Sequence, residues 1–263
     1  MAHVTCSSLA YAHPGGDLLF DEVSFHVAPG NHVGLVGTNG VGKTTLFRVI
    51  AGELPADDGD VKVGGRLAYM PQDVGVGGDE RSVRELLTSL APRALRLAGE
   101  RMLAAERALA EGDEQAGMDL GAAIGEWSSL GGYELEGQWD AACRRIVRSP
   151  FSDLADRPAV TLSGGERKRL VLDVLFASDA EVLLLDEPDN FLDIPAKRDL
   201  EQQIRSSRKT ILLISHDRDL LATAVRSILT LEGSGAWMHD GSYATYPEAR
   251  EARQQKLGDA VKR

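Results

Sequence analysis

Cysteine is almost missing from this chain: Cys6 and Cys143 are its only two in 263 residues. Two thiols cannot build a disulfide framework, so both are expected as plain thiols in a reducing, cytoplasmic setting. Long apolar runs are lacking too. None approaches the ~20 residues needed to cross a bilayer, so no membrane insertion is expected. Residues 1–16 lack the basic and apolar blocks of a secretory leader. Positive charge is also short. Lys and Arg number 29 against 40 Asp and Glu, a formal net charge of −11. That balance argues against a general nucleic-acid binder, which meets phosphate with Lys and Arg, but leaves room for a local basic patch.

What is present suits a soluble globular protein of one large or two small domains: 43% hydrophobic and 26% charged residues, enough for a core without staples. "LLFDEVSFHV" alternates like a half-buried strand. "HVGLVG" is a short apolar strand, and "KTTLFRVIAGE" has helical spacing with Gly52 near its end. "GDVKVGGRLAYMPQ" predicts a hairpin and a strand. From Ser82 to about Arg148 the periodicity is helical. "EVLLLD" and "TILLIS" have the pattern of strands buried on both faces. Strands alternating with helices imply an α/β fold with a mainly parallel sheet. No internal repeat is present, and the last stretch, "YPEAREARQQKLGDAVKR", predicts a polar helix.

Between the second strand pattern and the first helix lies Gly37-Thr38-Asn39-Gly40-Val41-Gly42-Lys43-Thr44, followed by Thr45. It fits G-x-x-x-x-G-K-[ST] in the strand–helix context that motif requires. Glycines let backbone N–H groups turn inward around phosphate oxygens, and the helix N-terminus adds its dipole. Lys43 is placed to reach the β- and γ-phosphates, and the Thr44 hydroxyl to bind Mg²⁺. A chance match in such a chain is on the order of one per cent.

Four apolar residues then run into Asp186 and Glu187, an unusual end for a buried strand. Ligands of parallel sheets sit beyond the carboxyl ends of the strands. Asp186 is thereby expected to face the Mg²⁺ held by Thr44, with Glu187 placed to orient or deprotonate an attacking water. Gln72 and His216 each follow a strand pattern. The first is a candidate sensor of the metal or γ-phosphate, the second a hydrogen-bond donor to the γ-phosphate, though either could be ordinary turn material. Leu162-Ser163-Gly164-Gly165-Glu166 makes a second anion site, with Ser163 capping a helix whose first N–H groups two glycines leave uncovered. The plainer alternative is an N-cap with a flexible entry.

The series "GTNGVGKT", "PQ", "LSGGE", "VLLLDEP", "SHD" resembles ATP-binding cassette (ABC) domains in order and spacing, over most of the chain. The resemblance implies a P-loop NTPase fold with an N-terminal antiparallel β subdomain and an inserted helical subdomain at about 82–149. It makes residues 1–242 one nucleotide-binding domain and 243–263 the start of a helical linker. It also implies ATP and Mg²⁺ as ligands, with Thr44, Gln72 and Asp186 at the metal. Two cassettes pack head to tail in this family. Ser163, Gly164, Gly165 and Asp193 would then serve the partner's site, and Tyr11 would stack on adenine.

"DEPDNFLD", "SHDRDLL" and the "GSYATYPEARE" tail are similar to the ABC-F class, whose members act on ribosomes. Asp189 and Phe191 depart from that class's usual Thr and His. The resemblance implies an ATPase, weak as an isolated cassette, whose full-length protein works with a second cassette in translation control or ribosome-protection antibiotic resistance. The alternative is the ATPase subunit of a membrane transporter. A chromosome-tethering or repair ATPase is disfavoured, because the interval between the motifs is too short for its coiled coils. The chain is expected to be either the first cassette of a two-cassette protein or a natural half-protein.

Overall fold

The computed structural model describes residues 2–16, 18–74, 80–233 and 235–261. In chain order its first elements are β1 (Val4–Ala12), β2 (Leu18–Val27), β3 (His32–Val36), α1 (Lys43–Ile50), β4 (Asp58–Val63) and β5 (Leu67–Met70). Helices follow: α2 (Val83–Ser89), α3 (Arg93–Ala110), α4 (Ala116–Ser129), α5 (Gly132–Ile146), α6 (Phe151–Leu154) and α7 (Gly164–Ala177). Then come β6 (Val182–Asp186), α8 (Ile194–Ser206), β7 (Thr210–Ile214), α9 (Arg218–Ala224), β8 (Ser227–Glu232), β9 (Gly235–His239) and α10 (Tyr246–Val261). The last two residues of the expected linker, 262 and 263, lie outside the described residues.

The chain divides into two compact units, Met1–Gln72 with Glu181–Arg263, and Asp73–Ala180. The first holds both sheets. A six-stranded sheet runs in the order β5-β6-β7-β3-β8-β9, parallel except for β9. Every residue of β6 and β7 is buried, which explains why their sequences are continuous apolar runs rather than alternations. The other sheet, β2-β1-β4, is antiparallel. Its Val4, Leu9, Phe20 and Val23 share one core with Leu35, Leu184 and Leu212 of the six-stranded sheet and with Leu46 and Phe47 of α1. Helix α1 stops where Gly52 takes φ +73°. The Gly52 N–H donates to Val49 O (3.0 Å) and the Glu53 N–H to Arg48 O (2.9 Å), closing the last turn.

The expected hairpin after Asp58 does not form. Strand β4 pairs with β1, whereas β5 pairs with β6 in the other sheet. Two glycines separate them. Gly64 extends the first pairing by donating to His3 O (2.8 Å), and Gly65 turns the chain at φ +92°. A Cβ on Gly65 would come within 2.6 Å of the Glu181 carboxylate, which accepts the Arg66 N–H. Gly-Gly reads as a hairpin signal locally; here it transfers the chain between sheets.

The second unit is helical. Ser82 and Glu85 cap α2 reciprocally, as do Ser163 and Glu166 for α7. Trp127 and Trp139, each 1% exposed, form its centre with Phe151. Arg145 of α5 makes a two-pronged ion pair with Asp173 of α7, which raises the guanidinium's pKa through the shared hydrogen bonds.

Candidate functional site

Four neighbouring parallel strands deliver the candidate residues to one edge of the six-stranded sheet. In spatial order, β5 leads to Gln72, β6 ends in Asp186 and Glu187, β7 leads to His216, and β3 leads to the Gly37–Lys43 loop. That edge borders a cavity of about 560 Å³, which Asp186, fully buried, does not line. Asn39, Gly40 and Gly42 of the loop line it, with Lys43, Thr44 and Thr45 of α1 and with Gln72, Glu187 and His216 opposite.

The loop's shape depends on its glycines. Gly40 and Gly42 have φ +81° and +102°, and a Cβ on Gly42 would meet Leu19 at 2.8 Å. Gly42 is also the N-cap of α1 and brings no side-chain acceptor, and the first turn contains no acid. The leading N–H groups of α1 are thus left for an anion. Val41 points the other way and packs against the core. The Lys43 ammonium donates to the carbonyls of Gly37 (3.0 Å) and Thr38 (3.2 Å). Burial lowers its pKa, and the nearby negative charges of Glu187 and Asp186 pull the other way.

Glu187 is the hub of the carboxylate side. Its backbone is left-handed, φ +49°, an uncommon conformation for a non-glycine residue. The Glu187 N–H holds this bend by donating to Ile214 O at the end of β7 (2.9 Å). Gln72 Nε2 donates to the carboxylate (2.9 Å), Asn190 Nδ2 donates to the same oxygen, and His216 Nε2 lies 3.6 Å from the other. Asp186, one residue earlier, is fully buried at the strand end.

The remaining predicted residues fall elsewhere. Tyr11, expected to stack on adenine, is 9% exposed, belongs to the core cluster and packs against Phe20 and His13, 6.0 Å between centroids in both cases. Strand β1 pairs Tyr11 with Phe20 and ends at Ala12, and His13 emerges beyond the pairing to line the cavity instead. Asp193 caps α8, its Oδ1 accepting the Ala196 N–H (2.9 Å). Ser163 is exposed in the helical unit, bonded to Glu166, with Gly164 and Gly165 opening α7. Sequence reasoning missed Asn190 and His13. "DNFLD" marks Asn190 as part of a conspicuous segment, but nothing in the chain's order reveals that its amide reaches back to Glu187.

The donor set suits a nucleoside triphosphate with Mg²⁺. Among the described residues no group of three or more His, Cys, Asp or Glu could hold a metal by itself. One buried carboxylate, Asp186, with a hydroxyl from Thr44 and an amide from Gln72, suits an ion that completes its shell with phosphate oxygens and water.

A profile of the family described as "ABC transporter" matches residues 20–190. An antibiotic resistance protein of Mycobacteroides abscessus is 45% identical over all of this chain and 49% of its own length. The tylosin resistance ATP-binding protein TlrC of Streptomyces fradiae is 35% identical over 91% of the chain and 44% of its own. The energy-dependent translational throttle protein EttA of Mycobacterium tuberculosis is 30% identical over 95% and 44%. An ATP-binding subunit of an ABC transporter superimposes with a TM-score of 0.61 at 20% identity, covering 90% of this chain and 89% of that one, which speaks for the fold. The chain belongs to the ABC family, as a cassette of its ABC-F class. Its fold is accordingly the P-loop NTPase cassette, and it spans about half the length of the curated relatives it matches.

Proposed function

We propose that this chain binds Mg-ATP and hydrolyses it to ADP and phosphate when a second cassette closes on it. The observation that carries the reading is Glu187. Its carboxylate is oriented by Gln72 and Asn190 at the mouth of a glycine-rich anion cradle. Water attacks the γ-phosphorus in line with the departing ADP oxygen, and Glu187 orients that water and takes its proton. Lys43 leaves its two loop carbonyls to neutralise the β- and γ-oxygens. His216 donates a hydrogen bond to the γ-phosphate. Thr44, Asp186 and Gln72 would hold Mg²⁺, which would supply charge neutralisation to the triphosphate.

Residues 1–242 act as one nucleotide-binding domain, with the helical part at about 82–149 inserted, and 243–263 begin a linker. Ser163, Gly164 and Gly165 complete the site of the second cassette, and Asp193 lies at the interface. The exposure of Ser163 in one unit, and of Phe191 (59%) and Ile194 (69%) beside Asp193 in the other, leaves each segment open to a second cassette.

The full-length protein works on the ribosome in translation control or antibiotic resistance, in the cytoplasm. Relatives named for antibiotic resistance and for translational throttling support this reading. Among the described residues no helix is long and apolar enough to cross a membrane. The test is Glu187→Gln in the full-length protein. Nucleotide binding should persist, ATP cleavage should fall by at least about a hundredfold, and the variant should co-sediment with ribosomes in ATP. Normal turnover removes Glu187 from its role; failure to co-sediment removes the ribosome.

A further inference from the structure

A second cleft, of about 250 Å³, borders the same loop. Thr38 and Lys43 form one wall, His216 and Arg218 another, and Tyr243 and Arg250 at the base of α10 the third. It shares Lys43 and His216 with the nucleotide cavity, so the two adjoin at those side chains. None of its lining residues is Asp or Glu, although acids outnumber bases 40 to 29 in the chain. Arg218 and Arg250 are exposed and have no ion-pair partner among the described residues. Nearby bases are matched: Arg253 with Glu232 (3.3 Å) and Lys197 with Asp217 (2.8 Å).

The α10 wall is pinned in place. Tyr246 OH and Thr230 Oγ1 are hydrogen-bonded at 2.9 Å in the interior, and the Tyr246 ring stacks on Trp237. The start of the helix that carries Arg250 is therefore fixed against β8 and β9. Its volume is about 250 Å³. That admits a tetrahedral oxyanion with part of its hydration shell and is under half the size of the nucleotide cavity.

We propose that this cleft binds inorganic phosphate as it leaves the nucleotide cavity, with Arg218 and Arg250 as its ligands. The proposal rests on the hydrolytic reading above. Water attacks the terminal phosphorus and gives its proton to Glu187, the P–O bond to ADP breaks with ADP keeping the bridging oxygen, and phosphate departs as an anion of between one and two negative charges. Lys43 and His216 stand at both cavities, so they hand the anion from one to the other. Arg218 and Arg250 then draw it out past α10, while ADP remains in the larger cavity.

The experiment titrates inorganic phosphate into the chain saturated with Mg-ADP, by calorimetry, for wild type, R218Q/R250Q and R218K/R250K. Phosphate should bind wild type at millimolar concentration and the R218Q/R250Q variant at least about tenfold more weakly, the effect of losing one charge-assisted hydrogen bond. The lysine pair should keep most of the affinity, and ADP affinity should be the same in all three. Equal phosphate affinity in R218Q/R250Q, or no phosphate binding to wild type, overturns the proposal. A chain that does not bind Mg-ADP at all instead overturns the hydrolytic reading on which it rests.

Discussion

Two neighbouring side chains near the cavity behave differently because a strand ends between them. Tyr11 is still paired across to Phe20, so its ring goes to the core; His13 is past the pairing and reaches the cavity. Tyr11→Ala is expected to destabilise the fold by about 3 kcal/mol, as large-to-small core changes do. His13→Ala should leave stability unchanged and weaken nucleotide binding about tenfold, the loss of one ring against a base. Denaturant unfolding and nucleotide titration of both variants separate the roles. Asp189 offers a second test. Burial raises its carboxyl pKa, only partly offset by a hydrogen bond from Ser215. The charged form is thus disfavoured in the fold. The penalty is absent below the unfolded value, where both states are protonated, builds up between the unfolded and the raised folded value, and is fully present above the latter. Asp189→Asn should therefore raise the melting temperature at pH 7 and lose that advantage near pH 3.

At the scale of elements, the helical unit depends on glycines that make room for an indole. A Cβ on Gly132 would lie 2.2 Å from the Trp127 ring, and one on Gly99 would lie 3.0 Å from it. The chain thus lets α3 and α5 both approach the indole of α4. Gly132→Ala should cost about 1–3 kcal/mol through overpacking, measured by denaturant unfolding. Gly125→Ala, where a Cβ meets nothing within 4 Å, should be neutral or slightly stabilising because alanine is the better helix former. Helix α7 shows an element serving two ends. Ser163 completes its capping box, so Ser163→Ala should lower stability by about 1 kcal/mol besides its expected effect on a partner's site.

For the whole molecule, the chain carries a glycine-rich cradle in one unit and, in the other, a Ser-Gly-Gly helix start whose Ser163 is exposed. If each site needs both features from different copies, the isolated chain should bind nucleotide yet turn it over slowly. Light scattering of the Glu187→Gln chain should show monomer without nucleotide and a dimer fraction in Mg-ATP. Vigorous hydrolysis by a chain that scatters as a monomer contradicts this.

The line between what was legible in the chain's order and what was not runs through the site itself. Gly37–Thr44, Asp186–Glu187 and the capping box at Ser163 are local signals, because glycine torsions, strand ends and helix caps are decided within a few residues. The parallel buried strands were likewise readable as continuous apolar runs. Partners distant in sequence were not. Whether Gly64-Gly65 closes a hairpin or crosses between sheets depends on which strand waits nearby. The meeting of Gln72, Asn190 and His216 around Glu187, and of Arg218 and Arg250 beside Lys43, depends on the sheet order β5-β6-β7-β3 and on Tyr246 anchoring α10. Those pairings are long-range, and only packing of the whole sheet selects them. The sequence by itself determined which chemistry the chain carries; the tertiary structure decided which of those groups stand together.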